Sequence, residues 1–102
     1  MFARVNTLKG IAGERYEEGL ELYREKTQPE IEQQPGFTGS LLLADRDAGV
    51  AYAITFWESK DAMLSSTDTG RKLASTAAEQ LDAELSVELL EVAFSKLPAL
   101  TT

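Results

Sequence analysis

Three observations predict an α+β fold in which a four-stranded antiparallel sheet carries two helices on one of its faces. Apolar residues alternate in four short stretches, two longer stretches between them repeat apolar residues every three to four positions, and turn residues separate the segments in the order β-α-β-β-α-β. In AYAITFWESKDAM, residues 51–63, both sides of the strand are apolar, so each face of the sheet needs a cover.

Residues 2–8, FARVNTL, read as the first strand, with Ala3, Val5 and Thr7 on one face and Phe2, Arg4 and Asn6 on the other. Gly10 and Gly13 break it. Tyr16, Leu20, Tyr23, Thr27 and Ile31 then recur at helical spacing while acids fill the opposite side, which is the pattern of an amphipathic helix. Pro29 removes an intrahelical hydrogen bond, so a kink or restart is expected near Gln28, and Pro35-Gly36 stops the helix.

FTGSLLLA (37–44) and VAYAITFWE (50–58) form a hairpin around DRDAG, with Gly49 expected in the left-handed region. A register with Ala44 opposite Val50 puts Leu41, Leu43, Ala51, Ala53 and Trp57 on one face and Leu42, Tyr52, Ile54 and Phe56 on the other. Ser59 is placed to cap the next helix. That helix should break near residues 66–70, where STDTG is poor in helix formers and Asp68 can cap a restart. Leu73, Ala74, Ala77, Ala78 and Leu81 follow as a stripe of small and apolar residues. ELSVELLEVAFS (84–95) reads as one long last strand, and the parity switch from Leu89 to Leu90 suggests a bulge or twist.

This order is the ferredoxin-like, split β-α-β arrangement, and no linker or repeat divides residues 1–102 into a second domain. The two helices cover one face. A second copy of the chain is the economical cover for the other, giving a closed homodimer through the open sheet face.

Composition narrows function. The formal charge is −7 and the sequence pI is near 4.5, which opposes binding to nucleic acid or anionic membranes. The N-terminal stretch MFARVNTLKG lacks the apolar run of a signal or membrane span, so a cytoplasmic protein is expected. Neither cysteine nor histidine occurs. Disulfides, thiolate nucleophiles, imidazole bases, His-ligated haem and facial-triad iron are thereby excluded. Asp45 and Asp47 lack the other ligands of a calcium loop, and Gly10 and Gly13 lack the Lys and Ser/Thr of a phosphate loop. The acids at 14, 17, 18, 21 and 25 read as a solvated helix face.

FARVNT, the helix ending in QQPGFTGSLLL, the hairpin and the ITFWESKDAM junction together resemble the antibiotic biosynthesis monooxygenase-like family of dimeric α/β-barrel proteins. The resemblance covers residues 2 to about 95. It implies a ligand cavity between sheet and helices in each protomer, and a cofactor-independent monooxygenase acting on a quinol or an aromatic polyketide. Haem degraders of the family carry an Asn on the first strand, matched by Asn6. Their Trp on the second helix falls at Ser66, nine residues after Trp57, and their proximal His has no counterpart, which speaks against haem degradation.

Oxygenation without metal or flavin needs an electron-rich anion, so the protein must hold that anion, exclude water and orient oxygen. Arg4 and Asn6, sharing one strand face, are the candidate catalytic pair: the guanidinium for the oxyanion, the amide for a carbonyl or peroxy oxygen. Tyr16, Tyr23, Tyr52 and Trp57 are the candidate substrate-binding residues. The competing structural expectations are that Arg4 pairs with a helix carboxylate, Asn6 satisfies a backbone group, Trp57 packs in the core or dimer contact, and the tyrosines are core residues with surface hydroxyls. The alternative function is a non-catalytic dimeric module that binds a small molecule or serves in stress. An open cavity of roughly 300 Å³ or more with convergent polar groups separates the two.

Overall fold

The computed structural model describes residues 1–98. The strands are β1 (Phe2–Lys9), β2 (Phe37–Asp45), β3 (Val50–Trp57) and β4 (Glu84–Glu91), all paired antiparallel in the order β2-β3-β1-β4. With β1 and β3 central, this is the α+β, ferredoxin-like sheet that the order of elements predicts.

The first helical region starts with a 3-10 turn (Gly13–Arg15) and continues as α1 (Tyr16–Leu22), a π-helical turn (Tyr23–Thr27) and α2 (Gln28–Ile31). Pro29 lies at the start of α2, so the irregularity expected near Gln28 takes the form of a wider turn just ahead of it. The second region divides at Ser66 into α3 (Lys60–Ser65) and α4 (Thr67–Gln80). Ser59 caps α3 by accepting from the Ala62 amide at 3.1 Å. Asp68 does not cap α4; it is exposed in the first turn, 3.5 Å from Arg71. Among the described residues no helix is long and apolar enough to cross a membrane.

Two sequence expectations are corrected. Asp45 extends β2 and pairs with Val50, while Ala44 pairs with Ala51. This register moves Leu42 to the helix side with Ala51, Ala53 and Trp57, and puts Leu41 and Leu43 with Tyr52, Ile54 and Phe56 on the open face. The pattern could not set it, because a one-residue slip exchanges one apolar set for another. β4 ends at Glu91, and its register with β1 is continuous. No bulge is needed: Leu85, Val87 and Leu89 take the helix side and Leu90 the open side, so the parity switch records two apolar faces. The interruption lies at the start of β2 instead, where the register with β3 shifts between Phe37 and Gly39.

Gly49 has φ +71°, and a Cβ there would sit 2.9 Å from the Ile11 carbonyl oxygen. Its own carbonyl accepts from the Gly10 and Ile11 amides, tying the hairpin to the end of β1. Two apolar clusters pack between sheet and helices. Leu8, Ile11, Tyr16, Ala51 and Ala78 form one, and Ile31, Trp57, Met63 and Leu73 the other. On β1, the two clusters are separated by Arg4 and Asn6.

Candidate functional site

Between the clusters lies a cavity floored by Arg4, Asn6 and Leu8 of β1 and by Ala53 and Thr55 of β3. The register sets Arg4 beside Thr55 and Asn6 beside Ala53. The first helical region supplies Tyr23, Thr27 and Ile31, and α4 supplies Gly70, Leu73, Ala74 and Ala77. Small residues at 53, 70, 74 and 77 leave the space that larger ones would fill. Counted out to its open mouth the space is about 550 Å³, but the cavity volume itself is about 50 Å³, below the roughly 300 Å³ expected of a catalytic pocket. A benzene-sized guest needs an enclosed cavity of about 150 Å³.

Arg4 is 3% exposed and enters no ion pair among the described residues. Its Nη1 donates to Ser66 Oγ (3.0 Å), and its Nη2 donates to the Met63 carbonyl (2.7 Å) and Thr67 Oγ1 (3.3 Å). The break between α3 and α4 therefore cradles the guanidinium, with Ser66 also donating to the Met63 carbonyl at 2.7 Å. Trp57 stacks near it, 5.6 Å from Arg4 Cζ to the ring centroid. Gly70 permits the close approach, since a Cβ there would lie 2.7 Å from Nη1. Burial pushes the Arg4 pKa down. A guanidinium remains charged under such a shift, so a positive group without a carboxylate partner borders the cavity.

Two polar atoms at the cavity have no hydrogen-bond partner: Asn6 Oδ1 and the Tyr23 hydroxyl. Ser40 lies close enough to the Tyr23 phenol to lower its pKa, but its own hydroxyl donates to Gln28 Oε1 at 2.9 Å. Burial pushes the Tyr23 phenol pKa up, and Ser40 offsets this only in part. Buried polar atoms left unmatched are few in folded proteins, and two on one cavity mark it as a place for a polar guest.

The six sequence candidates thus separate. Arg4, Asn6 and Tyr23 meet at the cavity. Tyr16 does not reach it: its hydroxyl is shared between the carbonyls of Asp45 (2.8 Å) and Val50 (2.9 Å), which pins the hairpin. Tyr52 lies on the opposite face of the sheet and is 39% exposed. Trp57 is fully buried, bonds through Nε1 to Thr55 Oγ1 (2.9 Å) and packs edge-on against Phe37. It is a wall behind Arg4, not a cavity surface. Sequence reasoning did not assign Thr27, Thr55, Gly70 or Ala77 to the site. The available signal was the run of small residues opposite a polar pair.

Among the described residues no group of three or more metal-ligating side chains is gathered. A haem would find neither imidazole nor thiolate in this chain.

The antibiotic biosynthesis monooxygenase family model matches residues 1–78, and the chain belongs to that family. Two uncharacterized proteins of Mycobacterium tuberculosis are each 30% identical to it over 74 residues, 72% of this chain and 33% of theirs. The chain thus spans about a third of the length of the curated relatives it matches. Among solved structures, SnoaB of Streptomyces nogalater, a cofactor-independent oxygenase, is 25% identical with a TM-score of 0.67 over 96% of this chain and 97% of that one. The monooxygenase from ActVA-Orf6 of Streptomyces coelicolor, solved with nanaomycin D, shares 21% identity and a TM-score of 0.70 over 96% and 92% of the two chains. The haem degrader MhuD of M. tuberculosis shares 21% identity and a TM-score of 0.70 over 94% and 99%. These last two likenesses establish the fold alone.

Proposed function

We propose that this family member binds a small aromatic anion of the phenolate or quinol type in the cavity between sheet and helices, and oxidises it with dioxygen without a cofactor. The observation that carries the reading is the buried Arg4 guanidinium without a carboxylate, beside the unmatched Asn6 and Tyr23 polar atoms. SnoaB supports it from outside the chain.

Arg4 holds the substrate as its oxyanion, the form that can pass an electron to oxygen; the substrate then becomes a neutral radical and the negative charge moves to superoxide. The radical pair recombines at the ring carbon to give a peroxide anion, which takes a proton. Where that carbon carries a hydrogen, loss of water leaves a carbonyl, so one oxygen atom enters the product and the other leaves as water. Asn6 is placed to bond the peroxy oxygen. The chain offers no imidazole, so the substrate's own acidity or a water removes the first proton.

The small enclosed volume favours a second reading, a non-catalytic binding module of the same family. Oxygen uptake separates them. With a panel of hydroquinones and one-ring phenols, uptake above the spontaneous rate that falls at least about tenfold in Arg4→Gln and Asn6→Ala supports the oxygenase; a background rate throughout removes it.

The protein works as a homodimer closed over the open sheet face. Val5, Leu41, Ile54 and Phe56 are half-buried there, and Leu43, Tyr52 and Leu90 are exposed, a contiguous apolar surface that water alone covers poorly. Residues 1–102 act as a single domain, in the cytoplasm.

A further inference from the structure

We infer that Tyr23 sets the size of what the cavity takes, limiting it to a compact oxyanion of one ring at most. This deepens the reading of the cavity as the ligand site and rests on it. Three observations converge on the residue.

The cavity's 50 Å³ is about a third of a cavity of about 150 Å³ that holds benzene, so even one ring keeps an edge in the mouth. Three fused rings would stand mostly outside it. The floor consists of β1 and β3 side chains held in register on both sides, and Arg4 is fastened by three hydrogen bonds to the α3–α4 break. The opposite wall carries the irregular element: Tyr23 and Thr27 are the two ends of the π-helical turn, a local widening often found at ligand sites. The tyrosine ring fills space on that side.

Its hydroxyl is buried and unmatched, as is Asn6 Oδ1, while Arg4 presents charge on the floor. A ligand complementary to all three carries an anionic oxygen toward Arg4 and a hydroxyl on the same small frame. The hydroxyl donates to Asn6 Oδ1 and accepts from Tyr23. A monocyclic catecholate has this pattern, and so has a smaller hydroxylated anion.

The test uses 4-nitrocatechol and alizarin, catechols of one and three rings, each as its monoanion and each followed by its own absorbance on titration with the full chain. The wild type is expected to bind the one-ring probe at least about tenfold more tightly than alizarin. Tyr23→Ala should invert that order. Tyr23→Phe keeps the ring, so it should preserve the order while weakening nitrocatechol severalfold, and its unfolding temperature should not fall. A fall would mean that the hydroxyl has a structural partner, which overturns the proposal. So does alizarin binding the wild type as tightly as nitrocatechol. If that happens while Arg4→Gln still abolishes binding, the size limit alone is wrong. If no probe binds the wild type, the ligand-site reading fails with it.

Discussion

The two faces of one sheet are built from alternate residues of the same strands and serve different ends. On β1, Arg4 and Asn6 point beneath the helices, while Ala3, Val5 and Thr7 take the open side. On β3, Ala53 and Thr55 floor the cavity, while Tyr52, Ile54 and Phe56 continue the apolar surface. The covered face holds the buried charge and the unmatched polar atoms between its two apolar clusters, and the open face leaves Leu43, Tyr52 and Leu90 exposed. Polar groups kept under cover at a cost in stability suggest a ligand, and apolar groups left uncovered suggest a partner.

The largest effect that can break this contrast is on the open face. Ile54→Lys places a charge at the centre of the proposed contact, and by two-fold symmetry it acts twice, so association should weaken at least roughly 100-fold. Light scattering should give twice 11.2 kDa for the wild type and 11.2 kDa for the variant, with nitrocatechol binding retained. A wild type that already runs as a single chain would refute the dimer.

Next is the covered face. Arg4→Ala removes three hydrogen bonds and the Trp57 contact, and should lower stability by about 3 kcal/mol in urea unfolding. A loss below about 1 kcal/mol would show that the cradle at the helix break is loose. Gly70→Ala pushes a methyl against Arg4 Nη1. Overpacking costs about 1–3 kcal/mol and the helix regains about 1, so a net loss near 1 kcal/mol is expected. Stabilisation instead would mean that Arg4 can move away.

The smallest effect is on pH dependence. The folded Tyr23 phenol titrates above its ordinary value of 10.0, so the native state holds this proton after the unfolded chain has released it. Its contribution is intact below pH 10 and is lost as pH rises through the folded pKa. Tyr23→Phe should flatten that alkaline decline; an unchanged slope would assign it to another group.

Much of this organisation was legible in the sequence. Period-two alternation located the strands, Ser59 and the STDTG segment marked the start and break of the second helical region, and Pro29 marked the irregularity in the first. The hairpin register was not legible, because Leu41, Leu42 and Leu43 suit either face equally. Arg4 and Asn6 were singled out because an anion stabiliser and an amide stand two residues apart on one strand face. Tyr16 and Tyr23 could not be told apart, since both fall on the same helical stripe. What separates them is position along the sheet: Tyr16 ends above the hairpin and Tyr23 above the gap between the two apolar clusters. That gap comes from tertiary packing of small residues far apart in the chain, to which no local pattern points.

The most direct measurement is a map of where an aromatic anion touches the protein: amide and side-chain shifts in nitrogen-labelled protein on titration with 4-nitrocatechol. The account predicts perturbations at Arg4, Asn6, Tyr23 and Leu73, with Leu43, Tyr52 and Leu90 undisturbed. Shifts concentrated on those last three residues would put the ligand on the open face and contradict the division of roles between the two faces.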